Sequence, residues 1–318
     1  MRPSALKIFA LLLLLPLAST SLRAQDWAKA NLEKSPRHRE WVPIKHDGRT
    51  VNSYVIYPEI KTKAPVVILI HEIFGLSDWA REMADEIAAA GYIVIAPDLL
   101  SGAGPNGGGS DAFTSMESTT KAVSGLNADT VNTDLDAVAD YARTIPASNG
   151  KLFVTGYCWG GGKSFLFATH RKDLTAAFVF YGPPPPDAEL KNITAPIYGF
   201  YAGNDARIGA TVPGTIEAMK AATKKYEPIT YDGAGHGFMR AGEDPTPPTG
   251  PNAAMAPANK KARDEAFARL TTLLKQLNTA SKSSIAAPNS SHVLKASTSK
   301  PTQTIECHDP NMQMSGSM

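Results

Sequence analysis

Short apolar runs and longer amphipathic stretches take turns along most of this chain. Runs rich in Val, Ile, Phe and Tyr fall at Val51 to Tyr57, Val66 to Ile70, Ile93 to Ala96, Phe153 to Thr155, Ala177 to Tyr181, Ile197 to Tyr201 and Ile229 to Tyr231. Their length, β-branched and aromatic content and bounding Gly, Pro or Asp residues predict strands. Stretches with helical spacing lie between and after them, at Trp79 to Ala90, Val131 to Thr144, Gly162 to Thr169, Thr215 to Tyr226 and Asn259 to Leu277. Strands that are apolar along their whole length need cover on both faces. Their alternation with helices therefore predicts an α/β domain with a mostly parallel sheet and helices on both sides. Such sheets bind ligands at the carboxyl ends of their strands.

The two ends of the chain break this pattern. Arg2 and Lys7 precede an apolar run from Ile8 to Ala18, followed by small and polar residues up to Ala24. That run is too short to span a bilayer, so residues 1–24 read as a secretory signal peptide with cleavage after Ala24. From Thr279 to Met318 the chain is rich in Ser, Lys, Thr, Pro and Asn and lacks any apolar period, which predicts a disordered tail. Residues 25–278 remain as one folded domain with no membrane span, and the expected location is periplasmic or secreted. Glycine and proline clusters at Gly102 to Gly109, Pro183 to Pro186 and Gly242 to Pro257 read as loops at the mouth of a site or as plain surface excursions.

A net charge of +2, with no basic stripe interleaved with aromatics, gives no reason to expect a nucleic-acid partner. No phosphate-binding glycine fingerprint occurs, and the His71-Glu72 pair lacks the second histidine of a helical zinc motif, so no cofactor and no metal are expected. The two cysteines are Cys158 and Cys307. In an exported protein they could pair, and a bridge is the competing use of the Cys158 sulfur.

Cys158 carries the main chemical suggestion. It stands in Gly156-Tyr157-Cys158-Trp159-Gly160-Gly161, between a predicted strand and a predicted helix, where α/β-hydrolases place a nucleophile on a sharp turn. By itself the segment can also be read as a buried structural cysteine in a glycine-rich turn. Asp205, after the strand ending at Tyr201, and His236, in Gly235-His236-Gly237, follow in the chain order that fold uses: nucleophile, acid, histidine. A histidine there can take the thiol proton, and an aspartate can fix its tautomer. The oxyanion of an acyl-transfer step needs two aimed N–H groups. Trp159, just after the sulfur, and Ile73, in the loop after Val66 to Ile70, are the backbone candidates. Glu72 in that loop either acts on the thiol proton or is a solvated surface carboxylate.

Taken together, Glu72-Ile73-Phe74-Gly75, the cysteine elbow, Gly203-Asn204-Asp205 and Gly235-His236-Gly237-Phe238 resemble the dienelactone hydrolase family. The resemblance runs from about Val51 to Leu277 and implies the α/β-hydrolase fold. It implies a Cys158, His236, Asp205 triad, with Glu72 contacting the resting thiol and helping to activate it. It also implies a small ester or lactone as substrate. Arg240, four residues after the histidine, matches one of the two arginines that hold a substrate carboxylate in that family. The segment Leu100 to Thr120, where the other belongs, has no Lys or Arg. One anionic group on the substrate is therefore expected rather than two. The alternative expectation is a non-catalytic envelope protein that binds a ligand on a hydrolase scaffold. Nothing in the sequence sets an oligomeric state.

Overall fold

The computed structural model describes residues 25–246 and 248–280. The expected signal peptide and all but the first two residues of the expected tail, Cys307 included, lie outside the described residues. The strands are β1 (Arg39–His46), β2 (Arg49–Ile56), β3 (Ala64–Ile70), β4 (Ile93–Pro97), β5 (Ser148–Tyr157), β6 (Ala176–Phe180), β7 (Ile197–Ala202) and β8 (Tyr226–Tyr231). The helices are α1 (Asp26–Lys34), α2 (Asp78–Ala89), α3 (Met116–Ser124), α4 (Ala128–Thr144), α5 (Trp159–His170), α6 (Asp187–Leu190), α7 (Ala206–Gly209), α8 (Val212–Ala221), α9 (Phe238–Ala241) and α10 (Pro251–Thr279).

One eight-stranded sheet runs in the order β1-β2-β4-β3-β5-β6-β7-β8. β1, β2 and β4 pair antiparallel and every other neighbour pairs parallel. The α/β expectation holds, and its cause is plain in β3, β4 and β6, where every residue is buried. Their alternate side chains enter two separate cores. Val67, Leu69, Phe153, Phe178 and Phe200 pack under α2 and α10, while Val66, Ile68, Val154 and Val179 pack under α4 and α5. Among the described residues no helix is long and apolar enough to cross a membrane.

Three differences from the sequence reading have physical causes. β1 has no counterpart among the predicted strands because it is an edge strand with mostly exposed or half-buried positions and a proline at 43. Such a strand needs no continuous apolar run and tolerates proline. Its turn is Asp47-Gly48, both at positive φ, the dipeptide that favours tight hairpins. The helix expected to reach Tyr226 ends at Ala221. Thr223 at φ 56 then turns the chain into β8, which Tyr226 opens. Finally, the cluster from Gly242 to Pro257 is not loop throughout. α10 begins at Pro251, where a proline in the first turn loses no hydrogen bond, and it passes through Pro257.

Candidate active site

The crevice is assembled at the carboxyl ends of β3, β5, β6, β7 and β8, from loops that the sheet holds side by side. Cys158 sits between β5 and α5 with φ 55 and ψ −116, a left-handed backbone that a side chain rarely adopts. Its N–H donates to the Phe180 carbonyl at 3.0 Å. The glycines around it are required by contact. A Cβ on Gly156 would lie 2.0 Å from the Gly160 carbonyl oxygen, and one on Gly160 would lie 2.3 Å from that of His71. The sulfur is a free thiol, partly exposed at the helix start.

His236 reaches that sulfur, with Nε2 3.1 Å from Sγ. Its other nitrogen, Nδ1, lies 2.5 Å from Asp205 Oδ2. The two loops concerned are tied to each other before any side chain meets. The Gly203 N–H donates to the Tyr231 carbonyl, the Asn204 N–H to the Ala234 carbonyl, and Asn204 Nδ2 to the Gly233 carbonyl. Asn259 of α10 accepts from the Gly235 N–H at 2.8 Å, which fixes the histidine loop from behind. Asp205 is 8% exposed and also caps α7 by accepting the Ile208 N–H. Burial alone would push the Asp205 carboxyl up. The His236 hydrogen bond and charge, with the Ile208 N–H, outweigh it and hold it below its ordinary value. Burial likewise works against a charged His236, but its bonds to Asp205 and Cys158 lift it to about 9.

Glu72 is 2% exposed, so the solvated alternative does not hold. Its carboxylate oxygens take their hydrogen bonds from other groups than the sulfur. Tyr181 Oη donates to Oε1 at 3.2 Å and Arg240 Nε donates to Oε2 at 3.0 Å. The reason is charge: a carboxylate this deeply buried needs a cation, and Arg240 supplies it from α9. The Arg240 guanidinium also lies over the Phe74 ring, 5.1 Å from its centroid. Arg240 is therefore at the crevice, but one face of its fork is committed to Glu72 rather than to a ligand.

Sequence reasoning passed over Tyr181. It follows β6 at positive φ, stacks edge-on against His236 with centroids 5.1 Å apart, and is wholly buried. Burial, then the Glu72 charge, raises its phenol well above the ordinary value, so it remains a proton donor to Glu72. Its place at a strand's carboxyl end was the available clue. The expected backbone donors border the same space: neither the Ile73 nor the Trp159 N–H donates to an acceptor among the described residues. His71 packs flat on the Trp159 indole at 5.5 Å, closing the wall between the two loops.

Among the described residues, one group of three carboxylates has ligating atoms mutually close, Glu82, Glu86 and Glu243, all within 4.8 Å. It lies at the seam of α2, α9 and α10, outside the crevice, and Arg263 bonds both Glu86 and Glu243.

The arrangement is comparable with known proteins. A family model described as "Dienelactone hydrolase family" matches residues 51–278. Proteins named "Putative carboxymethylenebutenolidase" are similar in sequence. That of Salmonella typhi is 31% identical over 70% of this chain and 83% of its own length, and that of Escherichia coli (strain K12) is 33% identical over the same shares. A crystal structure titled as a "Putative Dienelactone Hydrolase" from Klebsiella pneumoniae superposes with a TM-score of 0.64 at 26% identity, covering 76% of this chain and 99% of that one.

Proposed function

Because the chain belongs to the dienelactone hydrolase family, whose members hydrolyse ester bonds, we propose that this hydrolase opens a small ester or lactone through a thioester on Cys158. The observation that supports this reading is the unbroken line from Asp205 Oδ2 through the imidazole of His236 to Cys158 Sγ, 2.5 and 3.1 Å long.

The chemistry then proceeds with each group in one role. His236 holds the proton taken from Cys158, and the sulfur attacks the carbonyl carbon. A C–S bond forms while the carbonyl electron pair moves to oxygen, where the Ile73 and Trp159 N–H groups stabilise the charge. Collapse breaks the C–O bond, and His236 gives its proton to the departing alkoxide. Water, deprotonated by His236, attacks the thioester; the acid leaves and the sulfur recovers the proton. In a lactone the alcohol and the acid are the two ends of one product. Asp205 orients the imidazole and stabilises its charged form throughout. Glu72 acts on this cycle through the electrostatics of the crevice.

Arg240 leaves its terminal amino groups for one substrate carboxylate, a geometry suited to a two-pronged contact. Since the segment 100–120 offers no second cation, the substrate carries at most one anionic group. Arg240→Ala should then depress turnover of carboxylated esters more than of neutral ones, and equal losses on both would remove this assignment. We place the enzyme outside the cytoplasm on the residues 1–24 pattern; an N-terminus beginning at Gln25 in the exported product would support that, and a retained Met1 would not.

The reading as a whole is tested with a panel of p-nitrophenyl esters and small lactones. The expected result is hydrolysis by the full chain, abolished by iodoacetamide and by Cys158→Ala. Undiminished turnover by Cys158→Ala would overturn it.

A further inference from the structure

The glycine-rich segment after β4 is fastened to the loop that carries Ile73, through one serine. Asp98, at the carboxyl end of β4 and 5% exposed, accepts the Leu100 N–H at 3.1 Å and both groups of Ser110. The Ser110 N–H donates to Oδ2 at 2.7 Å and its hydroxyl to Oδ1 at 2.6 Å. With its single proton spent on Asp98, the Ser110 oxygen presents a lone pair outward, and the Leu76 N–H donates to it at 2.8 Å. Leu76 is fully buried, so no water substitutes for that acceptor.

The approach is close enough to dictate residue type on both sides. A Cβ at Gly75 would fall 2.5 Å from the Ser110 oxygen, and a Cβ at Gly109 would fall 2.1 Å from Asp98 Oδ2. Gly75 also has φ 71. The turn between Glu72 and Gly75 closes on itself through the Gly75 N–H to the Glu72 carbonyl. Outside that turn its anchors are Tyr181 and Arg240 on the Glu72 side chain and the His71 ring on the Glu72 carbonyl at one end, Arg240 over the Phe74 ring between, and the Ser77 N–H on the Gly75 carbonyl with Ser110 on the Leu76 N–H at the other. Ile73 lies between them.

We propose that Ser110 is a positioning residue for oxyanion stabilisation: its hydroxyl, fixed on Asp98, accepts the Leu76 N–H and so sets the direction of the Ile73 N–H. The segment 98–110 is then a strap on the oxyanion loop rather than a surface excursion. This rests on the hydrolase reading above and on Ile73 serving as a donor. A donor displaced by about 1 Å costs on the order of a hundredfold in rate.

The test compares an ester with its thiono analogue, whose sulfur is large, accepts hydrogen bonds weakly and gains little from a tuned N–H pair. In Ser110→Ala, kcat for the oxygen ester should fall about tenfold to a hundredfold, with KM changed less than threefold and the thiono ester affected several-fold less. Alkylation by iodoacetamide, followed at the Cys158 peptide by mass so that Cys307 is counted separately, reads the Cys158–His236 pair and should keep its wild-type rate. Should Ser110→Ala not fold, Ser110→Cys, nearly the same size but a weak hydrogen bonder, serves in its place. Equal losses on both esters, or an unchanged kcat, would overturn the proposal while leaving the hydrolase reading intact. Inactive wild type, or active Cys158→Ala, would instead overturn the reading on which it rests.

Discussion

In the crevice each buried carboxylate has a cation of its own: Asp205 faces His236, and Glu72 faces Arg240. At the seam of α2, α9 and α10, three glutamates share one arginine. Arg263 bonds Glu86 and Glu243, Trp79 Nε1 donates to Glu243 at 3.0 Å, and Asn31 donates to Glu82, whose Oε2 has no partner among the described residues. The consequences are opposite. Asp205 is held below its ordinary value, whereas burial and then the neighbouring carboxylates push Glu82, Glu86 and Glu243 each up to about 7. The same functional group is kept ionised in one place and holds protons near neutrality in the other. Burial raises all four carboxyls; for Asp205 the His236 bond and charge outweigh it, whereas at the seam one arginine shared by three glutamates does not. α9 belongs to both regions, since Arg240 lies on it and Glu243 follows it by two residues.

Breaking the crevice pair should have the largest effect. Asp205→Asn removes the charge that lifts His236, so the imidazole should titrate below 9 and nearer 6.5 by NMR, and kcat/KM should fall by about 10²–10⁴. An unmoved titration would mean that Asp205 does not govern that ring. Next comes the arginine of the seam. Arg263→Met leaves buried carboxylates without a cation and should cost about 2–3 kcal/mol at pH 8 in urea unfolding, somewhat below the roughly 3–5 kcal/mol of a fully buried pair because Glu86 is partly exposed. The cost should shrink at pH 5.5, where those groups hold protons.

Third is the pH dependence itself. Each seam glutamate has a folded value above its ordinary 4.5, so the native state keeps protons that the unfolded chain has released. Stability should therefore fall as pH rises from about 4.5 to 7, by about 3 kcal/mol for each group that titrates in that window, and level off above. His236 has the same sign in a higher window: its contribution is whole below 6.5 and is lost as pH passes about 9. Asp205 has the other sign, its contribution present at neutral pH and lost on acidification. The smallest effect sharpens the comparison further. Glu82→Gln removes one of the three competing charges and should stabilise the fold by about 1 kcal/mol at pH 8 and not at pH 5. Destabilisation at pH 8 would show that the trio is not in excess of its cation.

The two regions also differ in how far they could be read from sequence. Cys158, Asp205 and His236 each follow a short apolar run and lie in or beside a glycine turn, so local rules pointed to them before any contact was known. Tyr181 shares their place at the end of an apolar run but not a spacing that ties it to Glu72, and Ser110 and the seam carry no such local mark. Tyr181 meets Glu72 across 109 positions and Arg263 meets Glu86 across 177, and neither spacing has a period to reveal it. β1 escaped for a related reason: an edge strand is stabilised by pairing with β2, not by an apolar run of its own.

The chain by itself determined the α/β class, the buried strands and the turns at which a thiol, a carboxylate and an imidazole emerge, because backbone conformation and apolar periodicity act over neighbouring residues. Only the tertiary structure decided which groups neutralise one another. It gave Glu72 to Arg240 and Tyr181 instead of to the sulfur, tied Ser110 to the Ile73 loop, and left three glutamates with one arginine. The physical reason is that a buried charge is governed by whatever lies within a few ångströms, and sheet order, not sequence order, sets that neighbourhood.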